Sequence, residues 1–128
     1  MSQKQILNTE NAPAAIGPYN QAIQAGNTLY VSGQIPLIPE TMELIDSGVA
    51  DETHQVLKNV QAILTHAGYT LNDVVKASIF ISSMDDFATI NEVYAQYFTE
   101  SQPARETVAV KTLPKNVNVE ISVIAWKA

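Results

Sequence analysis

The chain has 128 residues, 46% hydrophobic and 16% charged, which supplies apolar material for one core and too little length for two ordinary domains, so residues 1–128 read as one domain. Thirteen Asp and Glu against seven Lys and Arg leave a formal charge of -6, a poor match for the basic footprint of a nucleic-acid-binding surface. The absence of cysteine excludes disulfides and thiol nucleophiles, and neither His54 nor His66 has the companions of a structural zinc site.

The opening, Met1 to Gln5, is polar and leads into no apolar run, and nothing approaches the roughly 18 continuous apolar residues of a membrane helix. The expectation is a cytoplasmic protein with no membrane and no nucleic-acid partner. Ile6-Leu7 and Gln21 to Ala25 read as short strands around a turn-rich stretch that holds Pro13 and Gly17-Pro18. Gly26-Asn27 then predicts a hairpin into Thr28 to Ser32, and Gly33 permits close backbone approach where that strand ends.

From Ala50 to Ala67, Val56, Val60, Ile63, Leu64 and Ala67 recur at helical spacing, with Glu52, Lys58 and Gln61 expected outward and Gly68 as the stop. Val74 to Ser82 alternates as a strand, with Val75, Ala77, Ile79 and Ile81 assigned to one face and Val74, Lys76, Ser78 and Phe80 to the other. Asp85 or Asp86 is read as the cap of a second helix whose apolar face is Phe87, Ile90, Tyr94, Tyr97 and Phe98. Two strands finish the chain, Arg105 to Lys111 and Val117 to Trp126, the last alternating with Val117, Val119, Ile121, Val123 and Ala125 on one side.

This order predicts an α/β (α+β) two-layer domain, a mixed β-sheet with two helices packed on one face. The other sheet face then needs a cover, and the low charge content fits self-association into a closed homo-oligomer.

Arg105 is the only arginine. Its planar fork suits a carboxylate ligand and equally a salt bridge to Glu120 or Glu106. Glu120, expected to share a polar recess with Asn118 and Ser122, can hold a water or exchange a proton, or sit outward on the sheet. Tyr19 and Ser32 offer hydroxyls beside glycines, Asn91 is a polar residue on an amphipathic helix, and Lys111 and Lys115 carry less information. His54 and His66 are read as structural, and no glycine pattern for a phosphate or dinucleotide is present.

Together, Ala14 to Tyr19, Gly26 to Pro36, Asp86-Phe87-Ala88, Asn91 to Tyr94, Pro103-Ala104-Arg105, Leu113-Pro114 and Val119-Glu120-Ile121 make a chain that resembles the RidA or YjgF-like reactive intermediate deaminase family over nearly its whole length. The resemblance implies a chorismate-mutase-like fold, a homotrimer with intersubunit clefts, and hydrolysis of 2-enamino or 2-imino acids, such as 2-iminobutanoate and 2-iminopropanoate, to 2-oxo acids and ammonia. It implies no cofactor and no metal. Arg105 and Glu120 match the catalytic positions, and Tyr19, Ser32, Gly33, Asn91, Arg105 and Thr107 the substrate-binding ones.

The chain departs from the family pattern at Glu106, in place of a small residue, at Thr107, where cysteine is common, and at Met42, where glycine is frequent. Strand parity places Glu106 opposite Arg105 and Thr107. The alternatives are a small-acid-binding regulatory protein without efficient catalysis and a holdase-like oligomer.

Overall fold

The structure is a computed structural model that describes residues 4–128, so Met1, Ser2 and Gln3, part of the polar opening, lie outside it. Six strands, β1 (Lys4–Leu7), β2 (Ala22–Ala25), β3 (Thr28–Gln34), β4 (Val74–Ile81), β5 (Ala104–Ala109) and β6 (Val119–Trp126), form one sheet in the order β1-β2-β3-β6-β4-β5. Only the β4–β5 pair is parallel, because α2 (Phe87–Ala95) connects those strands; every other neighbouring pair is antiparallel. The C-terminal strand β6 thus lies in the middle of the sheet, with α1 (Val49–His66) joining the strands on its two sides.

Val56, Leu57, Val60, Ile63 and Leu64 of α1 and Ile90, Val93 and Tyr94 of α2 bury themselves against Leu29, Ala77, Ile79, Ile81, Val119, Ile121 and Val123 of the sheet. The predicted two-layer arrangement follows from this one-sided burial. Gly68 ends α1 at φ +83°, with Tyr69 N–H donating to the Leu64 carbonyl at 2.8 Å. Gly26 opens the β2–β3 hairpin at φ +60°, and Asn27 does not share the positive φ, as in a type II′ turn.

Three local expectations are corrected. Val74 rather than Val75 is buried, because a bulge between Val74 and Lys76 reverses the parity at the start of β4. Neither aspartate side chain caps the second helix; Ser83 instead accepts from Asp85 N–H at 3.1 Å and caps the 3₁₀ turn that leads into it. Glu52 is buried rather than outward, and its carboxylate accepts from Asn118 Nδ2 at 2.8 Å and from Asn118 N–H at 3.3 Å.

The sheet face away from the helices is open. Ile6, Ile23, Tyr30 and Ile124 form a row across four of its strands, with Trp126 and Val108 on the same side. Tyr30 and Trp126 are each 49% exposed, far more than large apolar side chains need to be in a sealed layer.

Candidate active site

Glu120 lies on β6 opposite Phe80 of β4, so its side chain leaves the open face of the sheet. Beside it β3 carries one extra residue between Val31 and Gln34, a bulge made of Ser32 and Gly33. Bulges bend a strand and re-aim its side chains. Here the bulge brings the Gly33 backbone against the Glu120 side chain: a Cβ at Gly33 would lie 2.9 Å from Glu120 Cδ and 3.1 Å from its Cγ. Any side chain at this point would displace the Glu120 carboxyl.

A cleft of about 540 Å³ opens there, lined by Glu120, Tyr19, Gln21, Ser32, Gly33 and Lys115 among apolar neighbours that include Ile16, Ile35 and Leu37. Ser32 Oγ donates to the Asn20 carbonyl at 2.6 Å, and the Tyr19 hydroxyl accepts from Ile16 N–H at 3.3 Å, which fixes both hydroxyls at the rim. Burial pushes the Glu120 carboxyl above its ordinary value, because few neighbours replace the water that would stabilise the charge.

Gln21 holds one wall and was not singled out for a role in the sequence. Its buried amide donates to the carbonyls of Thr9, Ala12 and Pro13 and accepts from Thr9 N–H, fastening the Thr9–Pro13 loop to the sheet. The opposite wall is the turn at Pro114–Asn116, where Lys115 and Asn116 adopt φ of +54° and +58°. Glu52 grips Asn118 just beyond that turn, and Asn118 also accepts from Ser82 Oγ at 2.8 Å. The expected recess shared by Glu120, Asn118 and Ser122 is therefore replaced by one shared with Tyr19, Ser32 and Gly33.

Arg105 belongs to a second cluster. It pairs in register with Ala77, which pairs with Val123, and so emerges on the helix side of edge strand β5. Its Nη1 donates to Asn91 Oδ1 at 2.7 Å, its Cζ stands 4.9 Å from the centroid of the Tyr94 ring, and the Phe87 ring is at 6.0 Å. Among the described residues no carboxylate is ion-paired with it; the neighbouring Glu106 pairs instead with Lys76, at 2.9 Å. Thr107 lies two residues on along the same face, and its hydroxyl and that of Tyr94 are buried with no hydrogen-bond partner among the described residues.

Glu106 points the other way, as parity required. It accepts from Ser78 and pairs with Lys76 on the open face, and these two contacts, the Ser78 hydrogen bond first, hold its carboxyl below the ordinary value. Its charge does not confront Arg105. His54 bonds the Tyr97 hydroxyl at 2.9 Å through Nδ1 and lines no part of the Glu120 cleft.

Arg105 and Glu120 do not meet within one chain. Two interstrand steps of about 4.8 Å and three residues of about 3.3 Å put their backbones roughly 14 Å apart, on opposite faces of the sheet.

Fold and site together define a small two-layer α/β protein with a lone arginine on the helix side of one edge strand and a cleft lined by a glutamate on the other face. Residues 9–127 match the family described as Endoribonuclease L-PSP, and the chain belongs to that family. A RutC family protein of Pyrococcus horikoshii is 55% identical over 97% of this chain and 98% of its own length. The 2-iminobutanoate/2-iminopropanoate deaminase of Mus musculus is 46% identical over 95% of this chain and 90% of its own. The crystal structure of the YjgF gene product from E. coli, 46% identical, covers 97% of this chain and 99% of its own at a TM-score of 0.93. That of E. coli TdcF with bound serine, 44% identical, covers the same shares at 0.93. The resemblance seen in the sequence and the observed fold agree with these relatives.

Proposed function

We propose that the protein is a cofactor-independent deaminase that hydrolyses reactive 2-enamino and 2-imino acids, such as 2-iminobutanoate and 2-iminopropanoate, to 2-oxo acids and ammonia. The observation that carries the reading is an arginine held by a neutral amide and an aromatic face, with no carboxylate paired to it among the described residues, in a chain that also sets a half-buried glutamate in the lining of a cleft. The relatives named as imine deaminases support it. A net charge of -6 disfavours a polyanionic RNA substrate.

Arg105 takes the substrate carboxylate through its free N–H groups. The carbon of a protonated imine is already electrophilic, so catalysis needs a placed water more than a strong nucleophile. The water oxygen bonds to that carbon as Glu120 accepts one of its protons. The proton then passes to nitrogen, and as the C–N bond breaks Glu120 takes the proton of the new hydroxyl, so that the carbonyl forms and ammonia leaves, carrying that proton off as ammonium. A carboxyl whose affinity for protons is raised by burial suits both transfers. Tyr19, Ser32 and Gly33 line the Glu120 half, and Asn91 and Thr107 the Arg105 half.

Because the halves face apart in one chain, the working site joins Arg105 of one subunit to the Glu120 cleft of the next, in a homotrimer assembled through the open sheet face. The protein acts in the cytoplasm. A coupled assay in which a pyridoxal-phosphate dehydratase generates the imine tests the reading. Wild type should accelerate its hydrolysis, and Arg105→Ala and Glu120→Gln should each lose at least about 100-fold, while sedimentation shows unchanged assembly. Full acceleration by Arg105→Ala would overturn the site, and saturable 2-oxo-acid binding without acceleration would favour a regulatory binding protein.

A further inference from the structure

Arg105 stands on an edge strand, and its neighbours determine whether its guanidinium presents a fixed fork. The Asn91 hydrogen bond at 2.7 Å fixes one nitrogen, and a single bond leaves the plane free to swing about it. The second restraint is Tyr94: the guanidinium carbon lies 4.9 Å from its ring centroid, nearer than the 6.0 Å to Phe87. Tyr94 is itself immobilised, 6% exposed and stacked on Phe98 with centroids 4.6 Å apart. Its hydroxyl has no hydrogen-bond partner among the described residues, so the ring face is the part of this side chain that meets Arg105.

We infer that Tyr94 is a positioning residue: its buried ring fixes the plane of the Arg105 guanidinium, so that the nitrogens not held by Asn91 face outward as a ready-made carboxylate fork. The idea rests on the reading of Arg105 as the carboxylate anchor. An aromatic face under a guanidinium attracts it through the ring quadrupole even at an exposed edge, and a fork held in advance loses less freedom when it grips its ligand.

Arg105 is the only arginine in the chain, so its Nε–H resonance is identified without ambiguity. In the wild-type protein that signal and the neighbouring Cδ protons should be displaced upfield by the Tyr94 ring current, and the two Nη groups should exchange slowly. Tyr94→Phe should keep both signatures. Tyr94→Met, which fills the volume without a ring, should lose them, with Tyr94→Leu as its substitute if the methionine variant does not fold. In titrations with 2-oxobutanoate, Tyr94→Phe should bind within about twofold of wild type. Tyr94→Met should bind about fivefold more weakly, equivalent to about 1 kcal/mol. In an Arg105→Ala background the Tyr94→Met change should have no further effect, because its action runs through the missing guanidinium.

An unshifted, freely rotating guanidinium in wild type overturns the inference without any variant. So does a Tyr94→Met protein that keeps the ring-current shift or the wild-type affinity, or one that weakens binding equally without Arg105. If wild type neither binds 2-oxobutanoate nor accelerates imine hydrolysis, the functional reading fails, and the arginine resonance still decides whether Tyr94 fixes the guanidinium.

Discussion

Gly33→Ala separates the placement of Glu120 from the stability of the fold. Gly33 does not adopt a left-handed φ, so alanine meets no backbone strain there. The new methyl would stand 2.9 Å from Glu120 Cδ and 3.1 Å from Cγ, well inside the roughly 3.5–4.0 Å optimum for carbon pairs, so the glutamate must move by about an ångström. Turning a long side chain off its rotamer costs about 0.5–1.5 kcal/mol, and Gly→Ala recovers about 0.4–1 kcal/mol by restricting the unfolded chain. Net stability should therefore change by less than about 1 kcal/mol. Misplacing a catalytic group by an ångström costs on the order of 100-fold in rate. The coupled imine assay and a urea unfolding curve measured on the same preparation should show a large loss in the first and almost none in the second. Glu120→Asp in the alanine background, one methylene shorter, should recover part of the rate. Wild-type turnover by Gly33→Ala would refute the claim that the Glu120 position matters.

Glu120 also makes stability depend on pH. Burial raises its carboxyl above the ordinary value, so over that window the folded chain holds a proton that the unfolded chain has released, and stability falls as pH rises through it. Glu120→Gln should therefore be more stable than wild type at about pH 7.5 and lose that advantage near pH 4, at or below the ordinary glutamate range; urea midpoints that differ equally at both would contradict this. Gln21→Ala strips four hydrogen bonds from the Thr9–Pro13 loop and should cost about 2–4 kcal/mol in the same unfolding measurement, with a cost below about 1 kcal/mol arguing that water replaces the amide. Met42 sits at φ +60°, where a Cβ is strained, so Met42→Gly should raise stability by about 0.5–1 kcal/mol, and a loss would mean that the side chain packs usefully.

The elements most legible in the sequence were those in which one period ran unbroken. The alternation of Val119, Ile121, Val123 and Ala125 placed β6 and its buried face directly, and the α1 stripe with Gly68 behind it did the same for the long helix. Parity also placed Glu106 away from Arg105. It failed at Val74 and Val75, where a bulge adds one residue and nothing in the local composition marks it. Glu52 misled for another reason: four residues before Val56 it shares the phase of the buried stripe, but its charge suggested solvent, and the partner that lets it be buried, Asn118, is 66 residues away. The β3 bulge escaped notice too, although Gly33 was marked as a place of close approach; what approaches it is a side chain from β6, visible only once the two strands are neighbours. Arg105 and Glu120 were each identified as residues, whereas their separation onto opposite faces depends on the register of β4 with both β5 and β6.

The back-to-back placement of the two halves has a genetic consequence. If each cleft of a ring takes its guanidinium from one subunit and its acid from the next, two inactive alleles, Arg105→Ala and Glu120→Gln, can rescue one another when co-expressed. Random mixing in equal amounts leaves about one cleft in four with both groups intact. Neither allele alone would have any, so the hybrid would regain roughly a quarter of the normal turnover from two dead parents.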